Sequence, residues 1–249
     1  MKLTRRGYRP VTTSARPPEP AGSYPVWLRI GAAFLLLTIS AVAALSGRSA
    51  SPLTWYVSRA SGMTLYLLLW LAVMLGLGIT TKRFDRLAGR AIIYSLHTFV
   101  TQLAYGFLTL HLLALVADTH VPFSVRDLVV PFSSSSREPW TGLGVIAAWL
   151  FVIIAVSGFA RRWISFSVWR GIHMLSFFLY GTALAHGIGA GTDTREPWAA
   201  GLYMVTGLSV LALTLFRVAR LRRRWETAPM PKTAPVFDRF SPTVGDVSK

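Results

Sequence analysis

The chain contains no cysteine. That absence removes disulfides, cysteine-held iron–sulfur clusters, cysteine-ligated haem, covalent haem attachment through C-x-x-C-H and thiol catalysis. Acidic residues are scarce: 10 Asp and Glu stand against 26 Lys and Arg, a formal net charge of +16. None of those acids falls inside the long apolar runs, which argues against a carboxylate proton relay across a membrane. No G-x-G-x-x-G opens a helix after a strand, so a dinucleotide-binding fold has no signature here. Charged residues of both signs make up only 14% of the chain.

What fills the sequence instead is apolar. Hydrophobic residues account for 53% and the mean hydropathy is +0.48, values that point to a polytopic membrane protein rather than a soluble domain. A bilayer crossing needs roughly 20 apolar residues, and six runs meet that length. They lie near Val26–Leu45, Gly62–Thr80, Gly89–Asp118, Thr141–Ala160, Trp169–Ala190 and Trp198–Val218. The expected fold is all-α, a six-transmembrane-helix bundle over residues 26–218. A disordered, Pro- and Arg-rich cytoplasmic leader (1–25) is expected before it, and a basic, mostly disordered cytoplasmic tail (219–249) after it. Arg5-Arg6 lacks the closely following apolar region of a twin-arginine signal, and the first run, despite Ala41-Val42-Ala43, reads as an uncleaved anchor. Between the third and fourth runs, Ser124 to Phe132 is mildly amphipathic and suited to the membrane surface.

Six spans put both ends of the chain on one side. With that topology 21 of the 26 basic residues fall on the side of the termini and five on the other (Arg48, Arg59, Arg126, Arg137 and Arg195). The positive-inside rule then places both termini in the cytoplasm, and the helical, apolar spans with no outer-membrane signature suggest a plasma (inner) membrane. The segregation also explains the net charge without nucleic acid, since the cations mark loops and tails rather than one face.

The third run carries His97 and His111, fourteen residues apart. On an ideal helix these are separated by about 21 Å along the axis and about 40° around it, so they share a face near opposite edges of the hydrocarbon. The fifth run carries His173 and His186, thirteen apart, about 20 Å along the axis but about 220° around it. Gly181 or Gly187 could permit a local distortion that reconciles them, or two centres could meet the helix from different sides. Both runs go from inside to outside, which pairs His97 with His173 at the cytoplasmic level and His111 with His186 at the outer level. Paired imidazoles with no cysteine or carboxylate beside them suit the axial positions of a b-type haem. Zinc would want three or four protein ligands.

The four-histidine pattern resembles the ferric reductase-like transmembrane domain of ferric reductases, NADPH oxidases and the haem-binding subunit of bacterial methionine sulfoxide reductase systems. His97/His111 and His173/His186 repeat the spacings of fourteen and thirteen on a helix and the next but one, and the similarity covers roughly Trp55 to Arg217. It implies two b haems held between helices 3 and 5, passing single electrons across the membrane to ferric iron, oxygen or a periplasmic redox partner. Arg59, in SRASG, resembles the family arginine near the outer haem, where it could meet a propionate; an interfacial anchor is the plain alternative. Members with a flavin and nicotinamide domain carry it after the sixth helix, where this chain has about thirty residues. Electrons are therefore expected from a separate reductase or a quinol, with any flavin supplied by that partner. Two other classes compete: a small transporter or proton-relay protein, and a membrane scaffold whose histidines only bridge helices.

Other residues have simpler expectations. Tyr105, Phe107, Phe177 and Phe178 lie at the depth of an aromatic stepping stone, though packing explains them too. Trp55, Trp140 and Trp198 suit a belt at the outer interface. Asp193 suits a loop or helix-end role, His120 a surface position, and the Arg217 to Arg224 cluster anionic headgroups or haem propionates.

Overall fold

The computed structural model of the protein describes residues 31, 53–81, 89–118, 121 and 123–226. The first expected span, its leader, His120 and the tail beyond residue 226 lie outside the described residues. Among the described residues there is no strand, and four helices are long and apolar enough to cross a membrane.

Helix α1 spans Leu53–Thr81 and α2 spans Arg90–Ala117. At 29 and 28 residues each exceeds a hydrocarbon thickness of about 30 Å at 1.5 Å per residue. The two are antiparallel neighbours packed along their length, and Leu75, Ile93 and Val100 close their shared seam. Thr54 Oγ1 donates to Asp118 Oδ1 at 3.1 Å, tying the start of α1 to the residue that ends α2. The stretch expected at the membrane surface contains α3, Val125–Val129, closed by a capping box in which Ser124 and Asp127 each bond the other's backbone.

Helix α4, Trp140–Phe159, ends in a 3₁₀ turn, Ala160–Arg162. The fifth expected span forms as two helices, α5 (Phe166–Met174) and α6 (Ser176–Ala190), interrupted at Leu175. Leu175 has φ −61° and ψ −13°, and its N–H donates to the Ile172 carbonyl at 3.0 Å, the tighter i to i−3 bond of a 3₁₀ turn. The distortion anticipated from the histidine spacing thus falls at Leu175, between His173 and His186, rather than at Gly181 or Gly187. Helix α7, Pro197–Glu226, opens with proline at its first position, where the missing N–H costs nothing. It runs two turns past Val218, so the stretch expected to begin a polar tail continues as helix to Glu226.

Two apolar clusters lock the helices. Leu69, Ala104, Ala147, Phe151 and Leu179 join α1, α2, α4 and α6. Tyr66, Tyr180, Ala199, Tyr203 and Val210 join α1, α6 and α7. Only 17–28% of the apolar windows of the four long helices is buried inside the fold. Side chains such as Ile92, Val156, Leu208 and Leu215 point outward, an arrangement that lipid tolerates and water penalises. Polar groups of the core pair with one another: Tyr66 Oη bonds Tyr180 Oη at 3.1 Å and Thr206 Oγ1 at 2.5 Å, and Trp70 Nε1 donates to Ser209 Oγ at 2.9 Å. Such pairing is what a bilayer interior demands.

Candidate functional site

Three helices carry four imidazoles at two levels. His97 and His111 stand on α2, His173 in the last turn of α5, and His186 near the end of α6. At the first level the rings of His97 and His173 have centres 6.2 Å apart and an interplanar angle of 73°. At the second level stand His111, toward the end of α2, and His186, near the end of α6. The structure therefore brings His97 and His173 together, one of the two pairs expected from the topology.

Three of the four rings are fixed in the same way. His97 Nδ1 meets the Ala72 carbonyl at 3.0 Å, His111 Nδ1 meets the Ser58 carbonyl at 2.8 Å, and His186 Nδ1 meets the Trp140 carbonyl at 2.9 Å. A carbonyl oxygen only accepts, so Nδ1 carries the proton in each case, and the Nε2 lone pair is left as a donor to a metal. Backbone bonds of this kind fix tautomer and ring orientation in metal-ligating histidines. His173 is held differently. Its ring stacks on Trp169 at 5.1 Å and 18°, and the Arg161 guanidinium lies 4.5 Å from the centre of the Trp169 ring.

A cavity of about 2020 Å³ opens beside the first level, lined by His97, His173, Tyr105, Trp169, Arg217 and Arg220 among others. It exceeds the roughly 300–1,000 Å³ of a drug-sized site. Arg90, Arg161 and Arg170 also reach its wall, so an apolar chamber ends in a basic rim. Arg220 additionally donates to the Thr81 carbonyl at 3.4 Å, and its guanidinium covers Phe216 at 4.7 Å.

Other expected residues have definite places. Arg59 forms an ion pair with Asp193, both about one-third exposed, so the loop role of Asp193 is to clamp the end of α6 to α1. Arg59 directly follows Ser58, whose carbonyl holds His111, and so flanks the second level. Tyr105 packs edge-on against Phe151 at 4.8 Å, Phe177 lines the cavity, and Phe178 is exposed at 61% and faces away from the core. Trp140 does more than anchor an interface, since its carbonyl orients His186.

Sequence reasoning missed the carbonyls of Ser58, Ala72 and Trp140 and the glycines beside them. One signal was present: Gly62 and Gly76 on α1 repeat the fourteen-residue spacing of His97 and His111. Among the described residues no three His, Asp or Glu side chains converge on one point. Comparison of the chain with protein-family models, curated proteins and solved structures found no match.

Proposed function

We propose that the protein is a six-span membrane cytochrome b that binds two b-type haems and moves single electrons across a plasma membrane. His97 and His173 would hold the haem at the cytoplasmic level, His111 and His186 the haem at the outer level. The observation that carries this reading is the repeated Nδ1–H to carbonyl bond, which presents Nε2 of His97, His111 and His186 as oriented ligands. The spacing of the first pair agrees with it: imidazoles sharing a metal about 2 Å from each nitrogen have ring centres roughly 6 Å apart, against the observed 6.2 Å. The size and apolar walls of the adjoining cavity suit a large planar group, and its arginine rim suits that group's carboxylates.

Bound haem would supply the reversible one-electron chemistry. The chain's part is to fix ligand orientation, exclude water and hold the two levels on rigid helices. Arg59 stands ready at the outer level, and its present partner, Asp193, is a carboxylate like a propionate. The donor is a separate cytoplasmic reductase or a quinol, with any flavin on that partner, and the acceptor is ferric iron, oxygen or a partner reductase outside. Both termini face the cytoplasm.

The test is a dithionite-reduced minus oxidised visible spectrum of the purified protein, with haem counted per chain. Two b haems per chain are expected. A colourless protein from haem-replete cells would overturn the proposal and leave a transporter or a scaffold.

A further inference from the structure

The contacts of the three carbonyl-bonded histidines repeat one local design. Ser58 and Gly62 face His111, Ala72 and Gly76 face His97, and Trp140 and Gly144 face His186. Each time the carbonyl of residue i accepts from Nδ1, and the residue at i+4 is glycine. A helical side chain leans over the turn on its N-terminal side, so a side chain at i+4 covers the carbonyl at i. That carbonyl already accepts the N–H of residue i+4 within the helix, and its second lone pair is what the imidazole uses. Glycine leaves the approach open. The antiparallel register of α1 and α2 lets two such seats, fourteen residues apart, meet two histidines fourteen residues apart.

The seats differ in tightness. A Cβ on Gly62 would lie 2.9 Å from His111 Cε1 and 3.0 Å from its Nδ1, and one on Gly144 would lie 2.6 Å from His186 Nδ1. Both distances require the ring to move. A Cβ on Gly76 would lie 3.6 Å from His97 Cε1, an ordinary contact. Gly158, fourteen residues after Gly144, has nothing within 4 Å, and His173 rests on Trp169 instead.

We propose that Gly62, Gly76 and Gly144 are the positioning residues of the histidine pairs, and that the His111/His186 level cannot accept alanine at its two seats. The haem readout of this proposal rests on the function proposed above. Gly62→Ala and Gly144→Ala are each expected to lose one of two haems per chain, or to shift the low-spin electron paramagnetic resonance signal of one centre alone. The retained centre reports that the chain has folded. Gly76→Ala should have a weaker effect, and Gly158→Ala none. Two unshifted centres in Gly62→Ala and Gly144→Ala would overturn the proposal. So would loss of both centres together, because the glycines would then serve the fold and not one ring. Should the wild-type chain bind no haem, the proposed function fails, and ¹⁵N–¹H spectra of histidine-labelled protein decide the seats by themselves. The bonded Nδ1–H signal of His111 should vanish in Gly62→Ala and that of His186 in Gly144→Ala; persistence of both signals would sink the idea.

Discussion

At the residue scale, the histidines are distinguished less by burial than by what each Nδ1 touches. On the proposed function, removing one histidine of a pair should empty one centre and spare the other. His97→Ala or His173→Ala is expected to leave a single haem with the spectrum of the His111/His186 level, and His111→Ala or His186→Ala the converse. Haem counting on each variant checks the assignment, and a variant keeping both haems would break the pairing. The buried Tyr66 offers a different test, because it bridges Tyr180 and Thr206 between α1, α6 and α7. Polar contacts between membrane helices average about 0.6 kcal/mol and reach about 1.7. Tyr66→Phe should therefore lower unfolding stability in detergent by about 1 kcal/mol while leaving haem content unchanged.

At the element scale, the break at Leu175 and the short α3 matter most. Thirteen residues on an unbroken helix would turn His186 about 220° from His173. With the chain interrupted at Leu175, His173 meets His97 of α2 while His186 reaches the Trp140 carbonyl of α4. The fifth expected span was legible as an apolar run, but the place of its break was not, because Leu175 is an ordinary helix former. Helix α3 is stabilised by its capping box, and hydrogen bonds from the Ser124 side chain and backbone hold the Asp127 carboxyl below its usual range. A carboxylate with a lowered folded pKa stabilises the folded state above its unfolded pKa, and loses that contribution as pH falls through the folded one. Amide exchange in α3, corrected for its intrinsic pH dependence, should therefore lose protection below about pH 4. Ser124→Ala should show the same loss at neutral pH. Equal protection in both proteins would show the box to be idle.

At the scale of the whole molecule, the four long apolar helices among the described residues bury little of their surface in one another, as suits helices set in a membrane. The proposed orientation is testable with unusual cleanliness because there is no native cysteine to remove. Ser136→Cys, in the loop before α4, should react with a membrane-impermeant maleimide from outside intact cells. Arg162→Cys, in the turn after α4, should react only after the membrane is opened. The reverse pattern would invert the topology and exchange the inner and outer haem assignments.

The sequence by itself determined what depends on residue type and spacing along the chain. The apolar runs at Gly62–Thr80, Gly89–Asp118, Thr141–Ala160 and Trp198–Val218 fall within or against α1, α2, α4 and α7, because length and hydropathy alone decide what suits a bilayer. The histidine levels were legible for the same reason, since helical rise converts sequence separation into depth. Only the tertiary structure decided how one helix is set against the next. That register puts the Ser58 carbonyl and Gly62 opposite His111, pairs Arg59 with Asp193, and stacks His173 on Trp169. A backbone carbonyl has the same chemistry at every residue, so nothing in its own side chain announces it as a partner. Which carbonyl an imidazole reaches is fixed by the sliding and rotation of packed helices, quantities carried by the fit of many side chains at once.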